Sequence, residues 1–245
     1  ERVVAIKLVN MGSGVPWVVD SFQNELQFLF ELNHVNIERL YEGGLTSEGI
    51  PYLVVEYIKG CHLDEYCDQN HLNLSQRVTL FKQVCQAVAV MHQSLMIHRD
   101  IKPSNVMVAE DGTVKLLDFG LAKLVTSKKQ QRSDLSDLMM TVAYASPEQK
   151  ANKHLTTASD VYGLGLLLFQ LLTGTKPSEL NSSHENSNLV FNALASENIK
   201  TDTAVFEAEP GLQNQLKHEL DWIVNRCLSE NPKERYGSAQ QLLDD

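Results

Sequence analysis

The N-terminal part of the chain combines strand-like apolar segments with one helix-like pattern. Residues 2–9, 37–41 and 52–57 are short apolar runs, which predicts strands. Between the first two runs, spacings of three and four predict a helix over about residues 20–32. The repeating face of this helix consists of Phe22, Glu25, Leu26, Leu29 and Leu32. The region therefore predicts a small sheet that carries one helix.

The rest of the chain is mainly helical in its pattern. Helical spacing of apolar residues begins at Leu74, where Ser75 is well placed as an N-cap. Strand-like residues 105–108 and 114–117 then flank an Asp-Gly pair, which is a hairpin turn signal. The further predicted helices cover residues 155–173, residues 219–230 and the segment from Ser238. We therefore predict an α+β protein with a small mixed lobe followed by a helical lobe.

Composition narrows the classes of partner. The 245 residues contain 21 Lys plus Arg against 31 Asp plus Glu, and the net charge of −10 disfavours nucleic acid. The longest apolar stretch, residues 164–172, is far shorter than the roughly 20 residues of a membrane span, so we expect no membrane segment in this chain. The four cysteines lack the spacing of a zinc site or a disulfide scaffold. We expect them to be buried free thiols.

Two short motifs carry the strongest chemical signal. Residues 98–105 read His-Arg-Asp-Ile-Lys-Pro-Ser-Asn, and residues 118–120 read Asp-Phe-Gly, on either side of the predicted hairpin. With them the sequence resembles the eukaryotic-type protein kinase superfamily along its whole length. Residues 51–57, 115–120 and 144–149 resemble the bacterial serine/threonine branch of that superfamily most closely.

The resemblance implies a two-lobed kinase fold with Mg·ATP in the cleft between a small lobe (residues 1–57) and a large lobe (residues 58–245). It implies that Asp100 accepts the proton of a substrate hydroxyl and that Asn105 and Asp118 bind Mg²⁺, with Mn²⁺ as the alternative ion. Lys102 resembles the lysine with which serine/threonine kinases neutralise the transferring phosphate. The implied substrates are Ser/Thr hydroxyls of proteins.

The resemblance also implies a nucleotide site in the small lobe. Residues 4–7, Val-Ala-Ile-Lys, resemble the strand whose lysine, Lys7, contacts the α- and β-phosphates, and Glu25 is the implied ion-pair partner of Lys7. The residues implied in adenine binding are Glu56 and Ile58 through their backbone, and Ala5 and Met107 as the two sides of the ring site. From composition alone, these apolar residues would be read as core packing.

Residues 118–148 resemble an activation segment that docks peptides. Arg99 precedes Asp100, and its guanidinium could pair with a phosphorylated residue of the segment and so order the segment. A segment that is ordered without phosphorylation is an equal alternative. The candidate phosphorylation sites are Thr126, Ser133 and Ser136. The basic cluster of Lys128, Lys129 and Arg132 either docks acidic substrates or is a solvated loop tip.

Three residues of the large lobe resemble structural positions of the family. Glu148 and Arg235 resemble a buried ion pair that supports the helical lobe. Asp160 resembles the residue that anchors the backbone of the catalytic loop. The sequence predicts no direct role in phosphoryl transfer for any of the three.

The chain departs from the family at its start. No Gly-x-Gly-x-x-Gly loop precedes Lys7, and the Gly-Ser-Gly of residues 12–14 follows the strand instead. We expect a truncated kinase rather than one that lacks the loop, with weak ATP affinity and low stability for this fragment. We expect a cytoplasmic domain. The sequence leaves open whether sensor, repeat or membrane segments flank it.

Two alternatives accompany the interpretation as a protein kinase. A pseudokinase would keep the fold as a binding or scaffolding module, but Lys7, Asp100, Asn105 and Asp118 argue against it. A small-molecule kinase of the aminoglycoside-phosphotransferase type would lack the peptide-docking segment that ends in residues 141–148.

Overall fold

A computed structural model describes residues 2–8, 26, 29–118, 142–179 and 210–245, without the side chains of residues 179 and 210–217. The strands are β1 (Val4–Leu8), β2 (Leu40–Leu45), β3 (Pro51–Glu56), β4 (Gly60–His62), β5 (Val106–Ala109) and β6 (Val114–Leu116). The helices are α1 (Leu63–Gln69), α2 (Leu74–Gln93), α3 (Pro147–Lys150), α4 (Thr157–Thr173), α5 (Pro210–Cys227) and α6 (Ala239–Asp244). Short 3₁₀ helices cover Pro103–Asn105 and Pro177–Glu179.

The small sheet consists of three antiparallel strands in the order β1-β3-β2. Strand β2 begins at Leu40, later than the predicted start at Ile37. Ile37 instead forms an isolated parallel bridge with Leu116 of β6, and the backbone N–H of Glu38 donates to the Leu116 carbonyl (2.9 Å). The segment before β2 therefore joins the small sheet to the second sheet.

The helix predicted over residues 20–32 is described only in part. Leu26 and residues 29–31 are helical, and Leu26, Leu29 and Leu32 are buried, as the predicted apolar face requires. Glu25 and the start of this helix lie outside the described residues. The predicted apolar face is thus confirmed for the described residues of this helix.

The second sheet, β4-β5-β6, contains the predicted hairpin. Strands β5 and β6 are joined by a turn in which Gly112 has a φ of +83°, a left-handed conformation that glycine adopts without strain. Gly60 of β4 lies so close to β5 that a Cβ would stand 2.0 Å from the Val108 carbonyl oxygen. Strand β5 directly follows the catalytic-loop motif of residues 98–105.

The helical part forms the core of the large lobe. Helix α4 is almost completely buried, because every residue from Ala158 to Thr173 except Tyr162 is inaccessible to solvent. The helix ends at Gly174, whose φ of +68° provides a left-handed cap. Helix α6 begins after Ser238, as predicted. The α+β, two-lobed class is confirmed, while the lobe boundary at residue 57 stays a prediction.

Two details of the helix predictions are wrong. The N-cap of α2 is Asn73 rather than Ser75, because the Asn73 side chain accepts from the Gln76 backbone and Gln76 returns a bond in a capping box. Helix α5 begins at Pro210, well before the predicted residue 219, and ends at Cys227. The N–H groups of the first helical turn have no hydrogen-bond partner within the helix. Proline, which has no N–H, can therefore begin a helix without losing a bond.

Among the helices that the structure describes, none combines the length and the apolar character that crossing a bilayer requires.

Candidate active site

Asp160, near the start of α4, holds the backbone of the catalytic loop. Its carboxylate accepts hydrogen bonds from the N–H groups of His98 and Arg99, both at 2.8 Å, and lies 2.9 Å from Nε2 of His92. Asp160 is 2% exposed, so these bonds compensate the loss of water around its charge. They also support Arg99 at a φ of +69°, a strained conformation for a residue other than glycine. The predicted anchoring contact is present.

His98 connects the loop to the segment that leads to Asp118. It is fully buried, its Nε2 donates to the Leu117 carbonyl (2.9 Å), and its Nδ1 accepts from the Asp100 backbone N–H (3.3 Å). The imidazole thus bridges two chain segments that both carry predicted site residues. Its position restricts the backbone on the N-terminal side of Asp100.

Three predicted site residues meet around the Asp100 carboxylate. Asn105 Nδ2 donates to the Asp100 carbonyl (2.7 Å) and to its Oδ2 (3.0 Å), and Lys102 Nζ lies 3.1 Å from the same Oδ2. The side chains of Asp100 and Lys102 are 16% and 12% exposed, so both are accessible but largely surrounded by protein. The arrangement orients one carboxylate and places a positive charge beside it.

The orientation of the Asn105 amide suits a metal ligand. Because Nδ2 is occupied by Asp100, the amide oxygen is the atom that remains to bind a cation. Asn105 and Asp118 together present an amide and a carboxylate oxygen, the hard donors that Mg²⁺ prefers. No cluster of three His, Cys, Asp or Glu side chains suitable for a metal occurs among the described residues.

Lys7 lies between two carboxylates. Its Nζ is 2.7 Å and 2.9 Å from the two oxygens of Glu38 and 2.9 Å from Asp118 Oδ1. Burial acts to lower the pKa of Lys7, but the charges of Asp118 and Glu38 outweigh it, and the pKa lies above its ordinary value. The structure therefore brings Lys7 to Asp118, a second predicted site residue, and the two carboxylates keep its ammonium charged.

Sequence reasoning missed Glu38. The predicted partner of Lys7, Glu25, is outside the described residues, and Glu38 was treated as part of an apolar strand. The available signal was a carboxylate inside the run of residues 37–41, flanked by Ile37 and Leu40, where a charge needs a compensating partner.

The residues predicted to bind adenine lie on the strands and the connection expected of them. Ala5 of β1 pairs with Val55 of β3, and Met107 of β5 pairs with His62 of β4. The Glu56 backbone N–H donates to the Arg39 carbonyl (2.8 Å), while its side chain accepts from Lys115 Nζ (2.8 Å). All four of the residues Ala5, Glu56, Ile58 and Met107 are partly exposed. Their role stays a prediction.

The predicted ion pair of Glu148 and Arg235 is present and buried. Arg235 Nη1 and Nη2 lie 2.8 Å and 3.0 Å from the two Glu148 oxygens, and Ser159 Oγ donates to Oε1 at 2.7 Å. Burial would raise the pKa of Glu148, but the bonds from Arg235 and Ser159 outweigh burial and lower it to about 2. The pair joins α3 to the segment that precedes α6.

Several predictions concern residues that the structure does not describe. They are Gly12, Ser13, Gly14, Phe119, Gly120, Thr126, Lys128, Lys129, Arg132, Ser133, Ser136 and Thr141.

Comparison with known proteins identifies the family. The whole chain, residues 1–245, matches the family model described as protein kinase domain. The chain belongs to the protein kinase family. Its kinase domain is 29% identical to serine/threonine-protein kinase A of Synechocystis sp. over 98% of the chain and 46% of that relative. It is 31% identical to serine/threonine-protein kinase PknB of Mycobacterium tuberculosis, over 91% of the chain and 35% of that relative.

A third relative of the kinase domain is serine/threonine-protein kinase PrkC of Bacillus subtilis, which is 29% identical over 100% of the chain and 36% of its own length. The chain thus spans less than half the length of these curated relatives. Their names confirm the predicted resemblance to the bacterial serine/threonine branch.

Proposed function

We propose that this kinase domain transfers the γ-phosphoryl group of metal-bound ATP to Ser or Thr hydroxyls of protein substrates, with Asp100 as the catalytic base. The observation that carries the proposal is the Asp100 carboxylate, which Asn105 orients at 3.0 Å and Lys102 flanks at 3.1 Å. Membership of the protein kinase family supports it. The names of the relatives favour Ser/Thr over Tyr as the acceptor.

In the proposed reaction Asp100 orients the acceptor hydroxyl and takes its proton as the new O–P bond forms and the bond to ADP breaks. Lys102, beside Asp100, neutralises charge on the transferring group. Lys7 binds the oxygens of the α- and β-phosphates. Catalysis then consists mainly of orientation and electrostatic stabilisation, because phosphoryl transfer requires little covalent chemistry from the protein.

The proposed metal ligands are Asn105 and Asp118, and the ion is Mg²⁺ or Mn²⁺. A divalent ion held by these two residues would reduce the negative charge of the phosphates. Asp100 contributes by fixing the Asn105 amide through its carbonyl and carboxylate oxygens. In the proposed site the adenine lies between Ala5 and Met107 and bonds to the backbone of Glu56 and Ile58.

The location of the domain and its neighbours belongs to the same proposal. We infer that it acts in the cytoplasm on protein substrates and that nucleic acid is not a partner. The net charge of −10 supports the second statement. Sensor or repeat domains outside this chain would supply the activating signal.

The test is phosphate transfer by the full-length protein. We expect Mg²⁺-dependent transfer of labelled phosphate from ATP to a generic Ser/Thr peptide, a loss of at least a hundredfold in Asp100→Ala, and unchanged ATP binding, since general-base catalysis contributes about 10²–10⁴-fold. Asp111→Asn is the matched control, because Asp111 is an exposed carboxylate in the β5–β6 turn, and it should transfer normally.

Absence of transfer from folded, ATP-binding protein, even after phosphorylation of the activation segment, would instead support a pseudokinase scaffold. Equal transfer by Asp100→Ala and the unaltered protein would exclude Asp100 as the base. A tyrosine peptide serves as the acceptor control and should receive little phosphate.

A further inference from the structure

Glu38 is a buried acidic residue between apolar residues in the segment before β2. It lies between buried Ile37 (2% exposed) and the first residue of β2, Leu40 (6% exposed), and is itself 4% exposed. Its backbone N–H bonds to the Leu116 carbonyl at 2.9 Å, which fixes the main chain at this point. Burying a carboxylate costs several kcal/mol unless it is paired, so a buried Glu in such a place needs a specific partner.

Lys7 is that partner, and the contact is made through both carboxylate oxygens. The distances from Lys7 Nζ are 2.9 Å to Oε1 and 2.7 Å to Oε2 of Glu38, with a further 2.9 Å contact to Asp118 Oδ1. The three donors of the ammonium are thus sufficient for these three oxygens. The side chain of Glu38 is 5% exposed and that of Asp118 is 55% exposed.

The two carboxylates therefore hold Lys7 in different ways. Asp118 is accessible to solvent, and its carboxylate is also a proposed metal ligand. Glu38 is buried, and its backbone is bonded to β6. If Asp118 binds a metal ion, the contact to Glu38 would still hold the ammonium. Of these two contacts, only the one to Glu38 is independent of metal binding.

We propose that Glu38 is a positioning residue that holds the Lys7 ammonium in place for ATP. The inference rests on the proposed role of Lys7 in phosphate binding. It assigns the anchoring of Lys7 to a carboxylate from the segment before β2. Glu38 acts through Lys7 and does not itself contact the reacting atoms.

The experiment compares Glu38→Gln and Glu38→Asp with the control Glu48→Gln in the full-length protein. In Glu38→Gln we expect the KM for ATP to rise by roughly tenfold, the scale of one charge-assisted hydrogen bond, while the KM for the peptide stays unchanged. Glu38→Asp, which keeps the charge, should recover part of the ATP affinity. Glu48 is exposed at a turn, so Glu48→Gln should leave the KM for ATP unchanged.

A second variant separates positioning from folding. Glu38→Met replaces the buried carboxylate with an apolar side chain of similar length, while Lys7 keeps its contact to Asp118 at 2.9 Å. Because one partner of a pair is removed, we expect some loss of stability, but a folded protein that binds ATP more weakly. Thermal unfolding identifies the folded variants, and a merely structural role for Glu38 would weaken the binding of ATP and of the peptide alike.

The proposal is overturned if Glu38→Gln and Glu38→Met bind ATP as tightly as the Glu48→Gln control. Titration of each folded variant with Mg·ATP gives this result without any phosphate transfer. An inactive protein whose ATP affinity still depends on Glu38 would therefore overturn the proposed enzymatic function and support the role of Glu38.

Discussion

At the scale of single residues, the four thiol groups differ in their exposure. Cys67, Cys85 and Cys227 are buried, whereas Cys61 is half-buried, so the expectation of buried free thiols holds for three of them. Burial raises the pKa of Cys67 to about 12 and that of Cys85 well above its ordinary value. Only the thiolate reacts readily with alkylating reagents, so access and pKa act in the same direction.

We predict that iodoacetamide at pH 8 modifies Cys61 first in the folded protein. The other three cysteines should react only after unfolding in denaturant, which serves as the positive control. Peptide mass spectrometry at successive times gives the rates. Modification of Cys67 as fast as Cys61 in the folded protein would contradict the burial of α1 against the core.

The catalytic loop shows how far single residues can be predicted. The family resemblance implied that Asp100, Lys102 and Asn105 share one site, and they lie within a few positions of each other on one loop. Glu38 was not predicted, because its partner Lys7 is 31 positions away and nothing local indicates which residue it contacts. A charged residue inside an apolar run was the one sign of a long-range partner.

At the scale of elements, the start of α2 depends on one capping box. Asn73 accepts from the Gln76 backbone N–H at 3.0 Å, and the Gln76 side chain accepts from the Asn73 N–H at 2.9 Å. The box satisfies two backbone donors that the helix itself leaves without partners. Ser75, which the sequence suggested as the cap, lies inside the helix.

We predict that Asn73→Ala destabilises the protein by about 1 kcal/mol, the usual effect of losing an N-cap side chain. Ser75→Ala is the matched control and should change stability by no more than about 0.5 kcal/mol, as is common for exposed positions. Urea denaturation followed by circular dichroism measures both. A larger effect for Ser75→Ala than for Asn73→Ala would show that the helix begins differently in solution.

At the scale of the whole molecule, the pair of Glu148 and Arg235 joins segments that are 87 positions apart. Arg235 is fully buried in its side chain, and its Nη1 also donates to the Ala158 carbonyl at 2.9 Å. The guanidinium thus connects α3, the start of α4 and the chain before α6. Breaking a buried pair on one side typically costs about 3–5 kcal/mol, since it leaves a buried charge uncompensated.

The pH dependence of stability follows from the same pair. The pKa of Glu148 is lowered from 4.5 to about 2, so the folded state favours the ionised carboxylate. This contribution to stability is fully present above about pH 4.5 and is lost as the pH falls toward about 2.

We predict that Glu148→Gln is less stable than the unaltered protein at pH 7 and that the difference shrinks as the pH is lowered from 4.5 toward 2. Glu48→Gln, at an exposed turn, is the control and should show no such trend. Urea titrations at several pH values measure the free energy of unfolding. A difference that stays constant over this pH range would show that the Glu148 carboxylate is not held ionised by Arg235.

By itself the sequence determined the α+β arrangement of a small sheet followed by a helical part, the hairpin and the end of α4, but not strand β4 or helices α1 and α3. The predicted features depend on periodicity and on turn residues, whereas the residues of the catalytic loop followed from the resemblance of residues 98–105 to the protein kinase superfamily. Only the tertiary structure decided that Ile37 bridges to β6, that Asn73 caps α2, and that Lys7 lies between Glu38 and Asp118. Some of these contacts join residues as much as 111 positions apart. The packing of the two sheets determines which of the many charged residues come together.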